Sequence, residues 1–138
     1  MNKVVMITGA NAGIGKETAR QLGLMLETKK IYLACRNLEK AKVAKEELET
    51  ATRRAIFDII VMDVSNPDSV RKAVSKLDEP LDALIMNAGG TGGKNPASLT
   101  KDGVTNITAT NLLGHVVLLD ELLHAKKLNN VALFASTE

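Results

Sequence analysis

Apolar residues gather into five short continuous runs along the chain: Val4 to Ile7, Ile31 to Cys35, Ile59 to Met62, Ala83 to Met86 and Val131 to Ala135. Runs of this length that do not alternate with polar residues mark strands covered by helices on both faces. Between them the apolar spacing changes to three and four. Ile14, Thr18, Leu22 and Leu26 follow one helical face, and Val70, Ala73, Val74 and Leu77 follow another. Asn66, Pro67 and Asp68 form the start of that second face's helix, with a capping amide, a first-turn proline and a first-turn acid. Lys40 to Glu49 is rich in Lys and Glu and predicts a mostly solvated helix around Leu38, Val43 and Leu48. A further helix carries the stripe Val104, Ile107, Asn111, Leu118 and Leu122. Strand alternating with helix predicts an α/β fold, a doubly wound parallel sheet of five strands forming one domain over residues 1–138. Gly89 to Pro96 reads as a long irregular loop.

The connection between the first strand and the first helix holds the chemistry. It reads Thr8, Gly9, Ala10, Asn11, Ala12, Gly13, Ile14, Gly15. Glycines there let the backbone turn sharply and approach a pyrophosphate, while the helix start offers free amides and the positive end of its dipole. A phosphate is the natural ligand, although glycines can also serve a tight strand-to-helix packing. At the end of the second strand, a dinucleotide site that prefers NAD carries an acid facing the adenosine ribose. This chain has Cys35 followed by Arg36, so repulsion of a 2′-phosphate is missing and a planar cation is present, which favours NADP(H). Arg36 could instead cap a surface loop.

Composition narrows the alternatives. Hydrophobic residues make up 45% and charged residues 25% of the 138, as in globular domains that bury a core. Eighteen Lys and Arg against sixteen Asp and Glu leave a charge of only +2, and aromatics are 2%, so neither a basic stripe nor a stacking platform for nucleic acid is present. The single cysteine cannot form an internal disulfide, and no apolar run has the length of a signal peptide core or a membrane span. The expected location is the cytoplasm. His115 and His124 stand nine residues apart with no metal-ligand spacing around them and read as packing or surface residues. No phosphate-binding P-loop and no Gly-x-Ser-x-Gly elbow occurs, which argues against nucleotide triphosphatase and hydrolase chemistry.

Three further motifs lie in register with the glycine turn: Met86, Asn87, Ala88 and Gly89 after the fourth strand, Asp102 and Gly103 ahead of Asn111, and Gly114 with His115. Together with Thr8-Gly9-x-x-x-Gly13-x-Gly15 they resemble the short-chain dehydrogenase/reductase family. Cys35-Arg36-Asn37 and Gly114-His115 look most like its retinol dehydrogenase and protochlorophyllide reductase branch. The resemblance implies a Rossmann fold in which Thr8, Gly9, Asn11, Ala12, Gly13, Ile14 and Gly15 hold the cofactor. It also implies that Asp63 and Val64 meet the adenine, and that Asn87, Ala88 and Gly89 line its ribose. Asp63 could equally cap a turn through Ser65 and Asn66.

For catalysis the resemblance implies that Asn111 holds a water in a proton relay and that Ser136, with Thr137 as the neighbouring alternative, positions the reacting oxygen. The family's Tyr-x-x-x-Lys is expected about a dozen residues after Ser136, beyond Glu138; the only tyrosine here, Tyr32, lies in the second strand. The implied function is an NADP(H)-dependent oxidoreductase moving a hydride between nicotinamide and a small-molecule carbonyl or alcohol, with residues 1–138 alone expected to be inactive. A non-catalytic NADP-binding module or redox sensor is the alternative. Leu112, Leu113, Val116, Val117, Leu118 and Leu119 wrap most of the fourth helix, so a homo-oligomer through that helix is expected.

Overall fold

A computed structural model describes residues 3–87 and 113–134. In chain order the elements are β1 (Lys3–Thr8), α1 (Gly13–Gly23), β2 (Thr28–Cys35), α2 (Leu38–Thr52), β3 (Phe57–Val61), α3 (Pro67–Ser75), β4 (Leu81–Met86), α4 (Gly114–His124) and β5 (Leu128–Phe134). The strands form one parallel sheet in the order β3-β2-β1-β4-β5. Alternate residues of each strand face opposite sides, so Val5 and Ile7 pack with Ala19, Ala41 and Leu48 of α1 and α2, while Val4 and Met6 pack with Val70, Val74, Leu118 and Leu122 of α3 and α4. This is the doubly wound α/β arrangement expected from unbroken apolar runs.

Side-chain caps start two of the helices, and at Asn66 this is where the sequence predicts. The Asn37 side chain accepts the Lys40 amide at 3.0 Å, and Asn66 accepts those of Asp68 and Ser69 at 3.1 and 3.4 Å. β5 begins earlier than the apolar run, taking in Leu128, Asn129 and Asn130. It is an edge strand, where polar residues stay wet, and parallel pairing with β4 runs from Leu81 opposite Leu128 to Met86 opposite Phe134.

Two helices bury faces that match the predicted ones only in part, with Leu22 and Leu48 against the core. Ile14 and Leu26 are 72% and 89% exposed, α1 ends at Gly23, and its buried residues are Gly15, Ala19 and Gly23. In α2 the buried residues are Ala41, Ala44, Leu48 and Thr52, and Leu38 and Val43 face solvent. Small residues won because they let the helix axes approach the sheet. A Cβ on Gly23 would lie 2.7 Å from Phe57 Cζ and 3.0 Å from Thr52 Cγ2. In α4, Leu118 and Leu122 are fully buried, whereas Val116 and Leu123, and Leu113 just before the helix, are exposed. Among the described residues no helix is long and apolar enough to cross a membrane.

The amino-terminal ends of the strands are braced by side chains that reach backbone. The Arg54 guanidinium donates to the carbonyls of Gly23, Met25 and Thr28 at 2.9, 2.7 and 2.7 Å, closing the α1–β2 connection. Lys127 Nζ donates to the carbonyls of Val74 and Leu77, 2.9 and 3.1 Å away, near and just past the end of α3. Asp82 accepts the Val4 amide at 2.8 Å across β4 and β1.

Replacing Gly23 with alanine adds a methyl against the Phe57 ring edge, itself 1% exposed. Overpacking of about 1–3 kcal/mol outweighs the helix-propensity gain of about 0.5–1 kcal/mol. Urea unfolding of Gly23→Ala is expected to show a net loss of roughly 1–2 kcal/mol by this balance; an unchanged or raised midpoint would show that α1 can lift off without cost.

Candidate cofactor site

Because β2 lies on one side of β1 and β4 on the other, the chain reverses its winding at β1, and a crevice opens there at the carboxyl ends of the strands. It encloses about 380 Å³ and is lined by Gly9, Asn11, Ala12, Gly13, Ala34, Arg36, Met62, Asp63, Val64 and Asn87.

The turn beneath it is built on glycine for two different reasons. Gly9 and Gly13 have φ of 65° and 56°, in the left-handed region that side chains rarely adopt. Gly15 is required by contact: a Cβ there would stand 2.4 Å from the Gly9 carbonyl oxygen and 2.6 Å from Asn87 Nδ2. The start of α1 therefore seats directly against the ends of β1 and β4. Unlike α2 and α3, α1 has no side chain capping its start and no acid in its first turn. Its first amides are open to an anion.

Asn87 follows β4. Its amide donates to Thr8 Oγ1 at 2.8 Å, and its Nδ2 approaches the Gly9 carbonyl at 3.4 Å. Thr8 and Gly15 are buried behind the crevice and shape it without lining it. Ile14 stands outside it, on the exposed start of α1. Ala88, Gly89, Asn111 and Ser136 lie outside the described residues.

On the far side of the crevice, Arg36 is exposed and forms no hydrogen bond or ion pair among the described residues. Burial pushes the pKa of the neighbouring Cys35 thiol up, while the amides of Ala10 and Asn11 pull it back. Asp63 has two attachments: it lines the crevice, and its Oδ1 accepts the amide and hydroxyl of Ser65 at 3.0 and 2.6 Å. The turn cap and the crevice wall are the same carboxylate. A second concavity shares Asn11 and Ala12 and is lined by Lys16 and Lys40, with Lys16 ion-paired to Glu47.

Several residues here escape a motif reading. Ala34 and Met62 form the crevice floor; their signal is only position, at or just beyond the ends of β2 and β3. His115, read from sequence as a packing or surface residue, is 1% exposed with Nε2 2.9 Å from Thr8 Oγ1. His124 is on the surface, with Nδ1 3.0 Å from the Asp120 carbonyl.

Known proteins place this geometry. The sequence model described as short chain dehydrogenase matches residues 3–131. Human retinol dehydrogenase 11 is 38% identical over 128 residues, covering 91% of this chain and 39% of that protein. Bovine retinol dehydrogenase 12 is 39% identical over 124 residues, covering 88% of this chain and 38% of its own length. The chain thus spans about two fifths of these relatives. Among solved structures, NADPH-bound carbonyl reductase from chicken fatty liver superposes with a TM-score of 0.67 at 26% identity, over 88% of this chain and 50% of that one. Glycine turn, switch-point crevice and sequence match agree: the chain belongs to the short-chain dehydrogenase/reductase family, on the side of its retinol dehydrogenases.

Proposed function

We propose that the crevice binds NADP(H) and that the whole protein is an oxidoreductase acting on a small-molecule carbonyl or alcohol. The observation that carries the cofactor choice is Arg36, a guanidinium at the crevice rim with no partner among the described residues and no acid beside it at the end of β2. The residues present suit the group. The amides at the start of α1 face the crevice side of the turn and suit a pyrophosphate, and Gly9 and Gly13 keep side chains out of its path. Arg36 suits a 2′-phosphate, with Lys40 of the adjoining concavity as a further cation. Asp63 and Val64 form the wall for the adenine, and Asn87 the wall for its ribose. Bound nicotinamide would supply or accept the hydride. The NADPH in the carbonyl reductase relative and the alcohol in the names of the retinol dehydrogenases support this cofactor and substrate class.

Proton transfer is a separate matter. Tyr32 is 5% exposed within β2, burial raises its pKa, and it does not line the crevice. The acid/base group in this proposal is the Tyr of the family's Tyr-x-x-x-Lys, with Asn111 and Ser136 assisting it. A reducing, cytoplasmic setting suits the buried thiol of Cys35. The exposed Val116 and Leu123 of α4, with Leu113 just before it, support a homo-oligomer formed on that face.

NADPH is expected to bind about ten- to a hundredfold more tightly than NADH, the worth of one charge-assisted hydrogen bond of roughly 1.5–3 kcal/mol. In titrations Arg36→Ala should remove this preference while leaving NADH affinity unchanged; a preference that survives the substitution would refute the assignment. Gly15→Ala should weaken both cofactors by at least about tenfold, because overpacking of roughly 1–3 kcal/mol falls on the crevice wall.

Residues 1–138 supplied with NADPH and a panel of ketones and aldehydes are expected to show no turnover above background, since general acid/base catalysis contributes roughly 10²–10⁴ in rate. Robust NADPH oxidation by this chain would mean that another residue donates the proton.

Sedimentation should show concentration-dependent association that Val116→Glu abolishes. A strict monomer at all concentrations would remove α4 as an interface.

A further inference from the structure

We propose that His115 is a positioning residue for the cofactor crevice, acting through Thr8 on Asn87. This deepens the cofactor reading and rests on it for its consequence, though not for its geometry. His115 is the second residue of α4 and is 1% exposed, on a helix whose Leu118 and Leu122, one and two turns on, are fully buried. Burying an imidazole there costs desolvation that a leucine would avoid, so filling space does not account for the residue type. Its Nε2 lies 2.9 Å from Thr8 Oγ1, and that same oxygen accepts the Asn87 amide at 2.8 Å. The hydroxyl, 0% exposed, is therefore held between a helix on one side and the end of β4 on the other.

The consequence follows from which atoms are coupled. Thr8 ends β1 and Asn87 follows β4, so the hydroxyl spans the switch point where the crevice opens. Asn87 Nδ2 reaches the Gly9 carbonyl at 3.4 Å and would meet any Cβ added at Gly15, so the Asn87 position sets the width between the glycine turn and the β4 end. His115 is not among the residues lining the crevice. It orients the Thr8 hydroxyl, Thr8 fixes the Asn87 backbone, and Asn87 presents its side chain to the crevice. Both contacts favour the threonine χ1 rotamer that points the hydroxyl between them.

The test uses the full chain and reads the Asn87 amide directly by hydrogen exchange in NMR, alongside NADPH titration. In His115→Phe, which keeps a ring but no hydrogen-bonding atom, exchange at Asn87 should accelerate by about three- to tenfold, with a matching loss of NADPH affinity, as expected for one net hydrogen bond. In His115→Gln, whose amide reaches about as far as Nε2, both values should return toward those of the parent. In a Thr8→Val background, His115→Phe should have no further effect on Asn87. Unchanged Asn87 exchange in a folded His115→Phe chain would overturn the inference. So would a Gln variant no better than Phe, or a chain that unfolds in every His115 variant, because His115 would then serve stability alone. Faster Asn87 exchange in a chain whose parent binds no NADPH would support the hydrogen-bond relay and count against the cofactor reading instead.

Discussion

The close seating of α1 on the ends of β1 and β4 is the contact on which the remaining structure depends. Its atoms are the Gly9 carbonyl, the Gly15 Cα and the Asn87 side chain, so near that a single added carbon at Gly15 has no room. Because the helix starts that low, its first residue, Gly13, lines the crevice, and no side chain caps its start. Because β1 is central in the order β3-β2-β1-β4-β5, the same contact marks the place where the winding reverses and leaves a gap for a ligand.

The two ends of the sheet are built for different purposes. At the amino-terminal ends, Arg54, Lys127 and Asp82 bond carbonyls and an amide at helix ends, strand starts and the turns between them, and make a braced base. At the carboxyl ends Asn11, Arg36, Asp63 and Asn87 line the crevice, and Arg36 has no partner among the described residues. Asp63 shows how a single residue serves both needs: one oxygen closes the β3–α3 turn through Ser65 while the residue walls the crevice.

Much of this was legible in the residues, for identifiable reasons. Strands covered on both sides need apolar residues at every position, so their runs stood out, and the left-handed turns at Gly9 and Gly13 required glycine in a pattern that spacing alone exposed. Helix faces were harder. Large side chains give the stronger apolar signal, yet Ile14, Leu26, Leu38 and Val43 are exposed, while the buried seams run through Gly15, Ala19, Gly23, Ala41 and Ala44. Small residues carry little hydrophobic signal yet allow the nearest approach. His115 was legible as part of a Gly-His pair but not as a partner of Thr8, because the two are 107 positions apart and only the fold brings them together.

Cys35 gives the glycine turn a built-in reporter. The thiol is 2% exposed, lies against the amides of Ala10 and Asn11, and is the only one in the chain. A thiol reagent reaches it only when that layer lifts, so the rate of its alkylation counts local openings of the turn without any added label. A ligand that seals the crevice slows that clock, and one that binds elsewhere leaves it running.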